Sequence, residues 1–301
     1  MDPRQAFLAC LERAPLKVFE AALWIAAEHD GALDPEAVLR SVEDLQQQVG
    51  QSLPILPRHE LAQPLLRRLN DLGFQQDEHL PLRPQAALLD KVLQHRRGQP
   101  LVLALIALEL AQRLAIPLTG VNFPGHFLLR VPGADHLLDP CGGRRLYPKD
   151  CRELLNRQYG AQMELRAEHL REAEPLEMLQ RLSRNLRQLH LSHDEPLAAL
   201  KDAERVLQIG QASSSDYLAR ASLFQRLDCP RGGTLRCGAG VTAQRGSDPA
   251  PALDRTPGAV AAQQRRTLSA PPPGRRVVRR GYPAGSPDGL VERPDAAGPA
   301  P

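Results

Sequence analysis

Apolar residues recur along the first hundred positions with the spacing of amphipathic helices. Over 15–30, Leu16, Val18, Phe19, Ala22, Leu23 and Ile25 form one stripe, with Pro15 suited to a first turn. The segment 34–49 opens with an Asp34 cap and Pro35, then repeats apolar residues at Val38, Leu39, Val42, Leu45 and Val49. Further helices are expected over 59–74, ending at Gly73, and over 83–98, ending in cations and Gly98. The stretch 99–117 is apolar nearly all round from Leu101 to Leu110 and is expected to be the buried central helix.

After it the period switches to two. Residues 118–123, 126–131 and 136–139 read as short strands, with Pro132 and Gly133 supplying the turn between the last two. Residues 148–160 return to a helix stopped at Gly160. From about residue 174 three helices joined by short polar turns follow, the pattern of helical-hairpin repeats. One and a half such units cannot bury their own faces, so this piece is expected to pack on the body.

Composition changes the picture at the C-terminus. From Pro230 onward there are 11 Arg, no Lys, 5 acidic residues and 23 Pro or Gly among 72 residues, with no Ile, Phe, Trp or Met. Such a segment is expected to be disordered. The change comes abruptly, in the middle of a helical hairpin. One admissible coding of residues 233–247, read one base later, spells ERFDVERALLLSED, an acid-rich amphipathic helix of the kind the repeat needs next. The tail is therefore read as a frame-shifted segment. The whole chain carries +3, so residues 1–229 carry −3, and a nucleic-acid partner is not expected for the body. The five cysteines (Cys10, Cys141, Cys151, Cys229, Cys237) contain no C-x-x-C pair and are odd in number. Free thiols in a reducing compartment fit better than disulfides or a zinc site. The N-terminus does not read as a signal peptide, and no apolar segment approaches the roughly 20 residues of a membrane span. A cytoplasmic protein without membrane partner, metal or cofactor is expected.

The candidate chemistry lies in 120–143. The midpoint between His126 and Asp139 falls in Pro132-Gly133. Symmetric antiparallel pairing about that turn would place them opposite one another, with Cβ atoms about 4.5–5.5 Å apart. A carboxylate there can fix the imidazole tautomer and leave its other nitrogen toward a partner. "FPG" before His126 suggests a turn that presents it, and Gly142-Gly143 lets the backbone bend away after Asp139. Arg144 and Arg145 beside them are candidates for an anionic ligand. No phosphate loop, dinucleotide fingerprint, H-E-x-x-H or G-x-S-x-G is present.

The order of long buried helix, strand, His-strand and Asp-strand is also that of papain-like thiol enzymes. The segments "RRGQPLVLALIALELAQRLAIPLTGVNFPGHFLLR" and "HLLDPCGGRRLY", with "RNLRQLHL…AALKDAERVL" as the repeat, resemble transglutaminase-like proteins of the invasion-regulator SirB type with C-terminal tetratricopeptide repeats. The resemblance implies an α+β fold: a mostly helical transglutaminase-like (papain-like) core with a short antiparallel sheet over 1–173, a tetratricopeptide-type appendage over 174–228, and a tail over 229–301. It also implies a nucleophilic Cys at the start of the buried helix, about 17 residues before the Pro of a "G-I-P"-like turn. Here that turn is Ala115-Ile116-Pro117, and the position falls at Pro100, between Gln99 and Leu101. Without a thiol there, His126 and Asp139 are a vestigial dyad, expected to brace the hairpin or to line a binding pocket with Cys141 and Arg144. The function expected is a non-catalytic binding or regulatory scaffold that engages a protein partner through the helical repeat. The alternative is a thiol hydrolase or acyl-transferase using His126, Asp139 and an unrecognised nucleophile, for which Cys141 and Cys151 are weak candidates.

Overall fold

In the computed structural model, which describes residues 2–160 and 162–227, capping chemistry sets where several helices begin. Helix α1 (Pro3–Leu11) starts at Asp2, whose carboxylate accepts from the Gln5 N–H at 3.2 Å. Helix α3 (Pro35–Gly50) starts at Asp34, which accepts from the Glu36 N–H at 3.0 Å. Each has a proline in its first turn, where no intrahelical donor is lost. Between them runs α2 (Val18–His29), shorter than the expected 15–30, and α1 was not expected as a separate helix. The 59–74 segment forms a short 3₁₀ turn followed by α4 (Ala62–Asp71).

The segment 83–98 departs from the single helix expected. It divides into a 3₁₀ turn at Pro84–Ala87, helix α5 (Leu89–His95) and, after β1 (Gln75–Gln76), the parallel strand β2 (Arg97–Gly98). Leu88 is extended between the first two pieces, and Arg96 turns the chain out of the helix at φ 60°. Gly98 explains why the chain must turn there. A Cβ on it would lie 2.6 and 2.7 Å from the Val92 methyls, so only glycine lets β2 fold back onto α5.

Helix α6 (Pro100–Arg113) is the central element, with every residue from Leu101 to Ala107 buried, and Leu110 and Ala111 as well. It packs against α2, α3, α4 and α5 on one side and the sheet on the other. That sheet is an antiparallel meander of β3 (Thr119–Val121), β4 (Leu128–Arg130), β5 (Leu137–Leu138) and β6 (Arg145–Leu146), in that order. Its strands are shorter than the pattern suggested, and β6 was not expected. Period-two alternation divides its side chains between two cores: Leu129 and Leu138 join the α6 core, whereas Leu128 and Leu137 join Cys151 and Leu155 of α7 (Pro148–Tyr159).

The chain then crosses the free edge of β3, where the Ala173 N–H donates to the Gly120 carbonyl at 2.8 Å, and enters α8 (Pro175–Ser192). Leu179, Leu182 and Leu186 of α8 are buried in the α6 core, so this helix is built into the body. Helices α9 (Pro196–Ile209) and α10 (Ser214–Arg226) follow through short connections, with Ala199, Ala203 and Leu223 forming a small cluster between them. No helix among the described residues is long and apolar enough to cross a membrane. The tail expected over 229–301 lies outside the described residues.

Candidate functional site

His126 sits at the end of a tight turn, closed by its own N–H donating to the Phe123 carbonyl at 3.1 Å. Gly125 makes that turn possible at φ +73°, and a Cβ there would also lie 2.9 Å from the Gln158 side chain. The turn takes up the residues expected to begin the strand, so β4 starts only at Leu128. The ladder pairs Leu129 with Leu138 and Arg130 with Leu137. This corrects the expected register. The turn closes with the Ala134 N–H on the Val131 carbonyl at 3.0 Å, and the hairpin axis falls between Gly133 and Ala134. Leu128, not His126, therefore stands across from Asp139, and no hydrogen bond joins His126 to Asp139 among the described residues.

The two groups still act on one another. Burial pushes the His126 imidazole below the ordinary histidine value; the Asp139 charge opposes this and the Arg181 charge reinforces it, so the ring is held neutral. The Asp139 carboxylate accepts the Cys141 N–H at 2.8 Å, and its charge raises the Cys141 thiol. Gly142 (φ 91°) and Gly143 (φ 72°) then turn the chain into β6. Asp139 thus holds the Cys141 backbone and acts through its charge on both the Cys141 thiol and the His126 ring. Arg144 stays exposed, and only its carbonyl joins the arrangement, accepting from the Asp139 N–H at 2.9 Å.

The cation beside His126 is Arg181, which the sequence reading did not single out. Its guanidinium donates to Asn122 Oδ1 and to the Phe123 carbonyl at 2.9 Å, and lies over the Phe127 ring at 5.8 Å. No carboxylate pairs with it among the described residues, and burial lowers its affinity for its proton. One turn along α8, Asn185 Nδ2 donates to Gln99 Oε1 at 3.0 Å, at the N-cap of α6. Arg181 and Asn185 thereby span from the His126 turn to the α6 start, where the resemblance implies a nucleophile. That start holds Pro100 at its first position, flanked by Gln99 and the buried Leu101. Arg181 has no signal in the sequence, because it sits in an ordinary amphipathic helix nearly sixty residues from its partners.

The described thiols are held protonated. Burial, with the Asp139 charge, pushes the Cys141 thiol up to about 12. Burial and the Asp150 charge raise Cys151, which packs as a small apolar residue of α7. Burial and Glu20 likewise raise Cys10.

A second polar cluster lies between α1, α2, α8 and α9. His29 Nε2 and His190 Nδ1 flank the buried Asp202 carboxylate at 2.9 and 2.7 Å, and Arg205 Nη1 donates to it at 2.6 Å. The other side of Arg205 donates to Glu28 at 2.6 and 3.1 Å, and Glu28 also takes hydrogen bonds from Arg4. His29, His190 and Asp202 offer ligand atoms within 4.8 Å of one another. The guanidinium already supplies the cation there, with Arg205 Nη2 3.4 Å from His29 Nε2, and would repel a divalent ion. The cluster is a charge-balanced clasp.

Residues 36–184 match the transglutaminase-like superfamily. The chain is 60% identical over 232 residues to UPF0162 protein PA3419 of Pseudomonas aeruginosa, covering 77% of this chain and 86% of that relative. It is 30% identical over 147 residues to protein SirB1 of Salmonella typhimurium and 29% identical over 147 residues to UPF0162 protein YchA of Escherichia coli K12, in each case covering 48% of this chain and 55% of the relative. No solved structure matches it. With its mostly helical α+β core, a buried central helix and a four-stranded meander, the chain belongs to the transglutaminase-like family whose bacterial members carry the SirB1 and UPF0162 names.

Proposed function

We propose that this chain is a non-catalytic transglutaminase-like protein that acts as a binding or regulatory scaffold in a bacterial cytoplasm. The observation that carries the reading is Pro100 at the first turn of α6, where the family resemblance puts the nucleophilic thiol. A proline has no nucleophile, and its neighbours Gln99 and Leu101 offer none. The protonated state of Cys10, Cys141 and Cys151 supports the same reading. Arg181 then ties α8 to the His126 turn, Asn185 ties α8 to the α6 start, and Asp139 fixes the turn at Cys141, all as structure.

Helices α8–α10 are read as a tetratricopeptide-type appendage whose outward apolar residues, Leu197 and Leu218 among them, meet a protein partner. Site-specific photo-crosslinking in cells tests this. Crosslinks from α9 and α10 are expected to survive His126→Ala and to vanish with Leu197→Glu plus Leu218→Glu. The opposite pattern would overturn the scaffold reading.

One observation favours the alternative, a thiol hydrolase or acyl-transferase. The Asp139 charge acts on both the His126 ring and the Cys141 thiol, and its carboxylate accepts the Cys141 N–H at 2.8 Å. The same carboxylate disfavours a Cys141 thiolate, which is why the enzyme reading stands second.

A further inference from the structure

On the side of the β4–β5 hairpin formed by its tip, an open groove of about 600 Å³ runs between that tip and the N-terminal turn of α4. Its accessible apolar surface comes from Pro64, Val131 and Leu56, with the buried Ala62 and Leu138 beneath them. Next to Leu56, Ile55 projects fully into solvent, held between Pro54 and Pro57. Exposed apolar residues are common singly; two in a row, rigidified by prolines at the mouth of a groove, make a contact surface.

The charge of the groove opposes that of the body around it. Arg67 and Arg145 both line it, both are exposed, and neither side chain has a hydrogen bond or ion pair among the described residues. The acid nearest in effect to Arg145 is Asp135, which is already bound to His136 at 2.9 Å. His59 and His136 add two imidazoles to the wall, and Glu60 is the one acidic residue among those lining it. Residues 1–229 as a whole carry −3, so two unpaired guanidinium groups facing one apolar trough are a local reversal. Guanidinium is the side chain best suited to fork onto a carboxylate.

The shape selects among anionic ligands. A small-molecule site encloses most of its ligand, whereas this groove is half open to solvent and leaves room for a chain to pass. We propose that the groove between α4 and the hairpin tip binds an extended peptide in which acidic side chains meet Arg67 and Arg145 while an apolar side chain between them rests on Val131 and Leu56. This surface is separate from α9 and α10 and stands whether or not the appendage reading holds.

The test is selection of a random-peptide display library on the immobilised full-length chain. Enriched peptides are expected to combine Asp or Glu with Leu, Ile or Phe. A selected peptide should bind roughly tenfold or more weakly to the Arg67→Glu plus Arg145→Glu variant, and more weakly as salt rises. Leu56→Asp should weaken it as well. All three substitutions are at solvent-exposed positions, and an unchanged melting temperature verifies that the variants fold. No enrichment, enrichment of sequences lacking acids, or equal binding to the charge-reversed variant would overturn the proposal. Complete displacement of the peptide by inorganic phosphate at millimolar concentration would also overturn it, because the groove would then read an isolated anion and not a peptide.

Discussion

The clasp around Asp202 makes a quantitative prediction. The side chains of Asp202 and Arg205 are fully buried, and their contacts tie α9 to α2 and α8. Replacing Asp202 by Asn keeps the shape and removes the charge. The amide oxygen can still accept from Arg205 and His29, which share Oδ1 at 2.6 and 2.9 Å, but the NH2 group takes the place of the Oδ2 that now meets His190 Nδ1 at 2.7 Å. Arg205 keeps Glu28 but loses its other counter-charge. Breaking a buried pair on one side costs about 3–5 kcal/mol, a large part of the roughly 5–15 kcal/mol that holds a domain folded. At roughly 2–4 °C per kcal/mol for a body of this size, the melting temperature should fall by about 10 °C. Urea titration followed by circular dichroism reads the free energy, and calorimetry reads the midpoint. Glu168→Gln is the control, because its exposed pairing with Arg166 at 3.5 Å should be worth less than about 1 kcal/mol.

The pH dependence carries a sign. Burial alone would raise the Asp202 carboxyl, but hydrogen bonds from His190 and His29 and the Arg205 charge outweigh it and hold the group well below the usual carboxylate range. A depressed carboxyl contributes stability that is complete above the unfolded value of about 3.9 and is lost as the pH falls through the folded value. The gap between wild type and Asp202→Asn should therefore be constant near neutrality and narrow only in acid. A loss below about 1 kcal/mol at neutral pH would refute the claim that this cluster is a charge-balanced clasp.

Further outcomes follow from the hairpin and the central helix. Gly98→Ala places a Cβ 2.6–2.7 Å from the Val92 methyls and should cost about 1–3 kcal/mol in urea unfolding. In an NMR titration the His126 ring should protonate below the usual value of about 6.5. Arg181→Met should move that midpoint up and Asp139→Asn should move it down, whereas insensitivity to both would remove the electrostatic link between them. Resequencing the gene across codons 225–250 should reveal a gained or lost base; an intact frame there would end the frame-shift reading.

Local rules made much of this fold legible. The Asp34-Pro35 start of α3, the all-round apolar run of α6 and the period-two leucines of β4 and β5 each state their structure within a few residues. The His126 turn was readable from Pro124-Gly125, and the departure from the dyad came from one turn hydrogen bond. Closing the hairpin on Val131 moved its axis by one residue and Asp139's partner by two. Helix α5 broke short because Gly98 had to approach Val92, a tertiary demand with no mark in the local pattern. Arg181 and the Asp202 clasp were hidden for a similar reason: apart from the Asp202–Arg205 pair itself, their partners lie 12 to 177 residues away along the chain. One trace was present. Asp202 and Arg205 fall on the apolar face of α9 together with Ala199, Ala203 and Val206, and charges in that phase call for buried partners.

The central claim, that this member of the family has lost its thiol chemistry, is tested most directly by the pH dependence of alkylation. Iodoacetamide labelling of the full-length chain, resolved cysteine by cysteine by mass spectrometry, measures how readily each thiolate forms. Cys141, held up to about 12, and the raised Cys10 and Cys151 are expected to label slowly at neutral pH, at rates unchanged by His126→Ala. A cysteine with a labelling midpoint well below the free-thiol value of about 8.5, slowed when His126 is replaced, would contradict it.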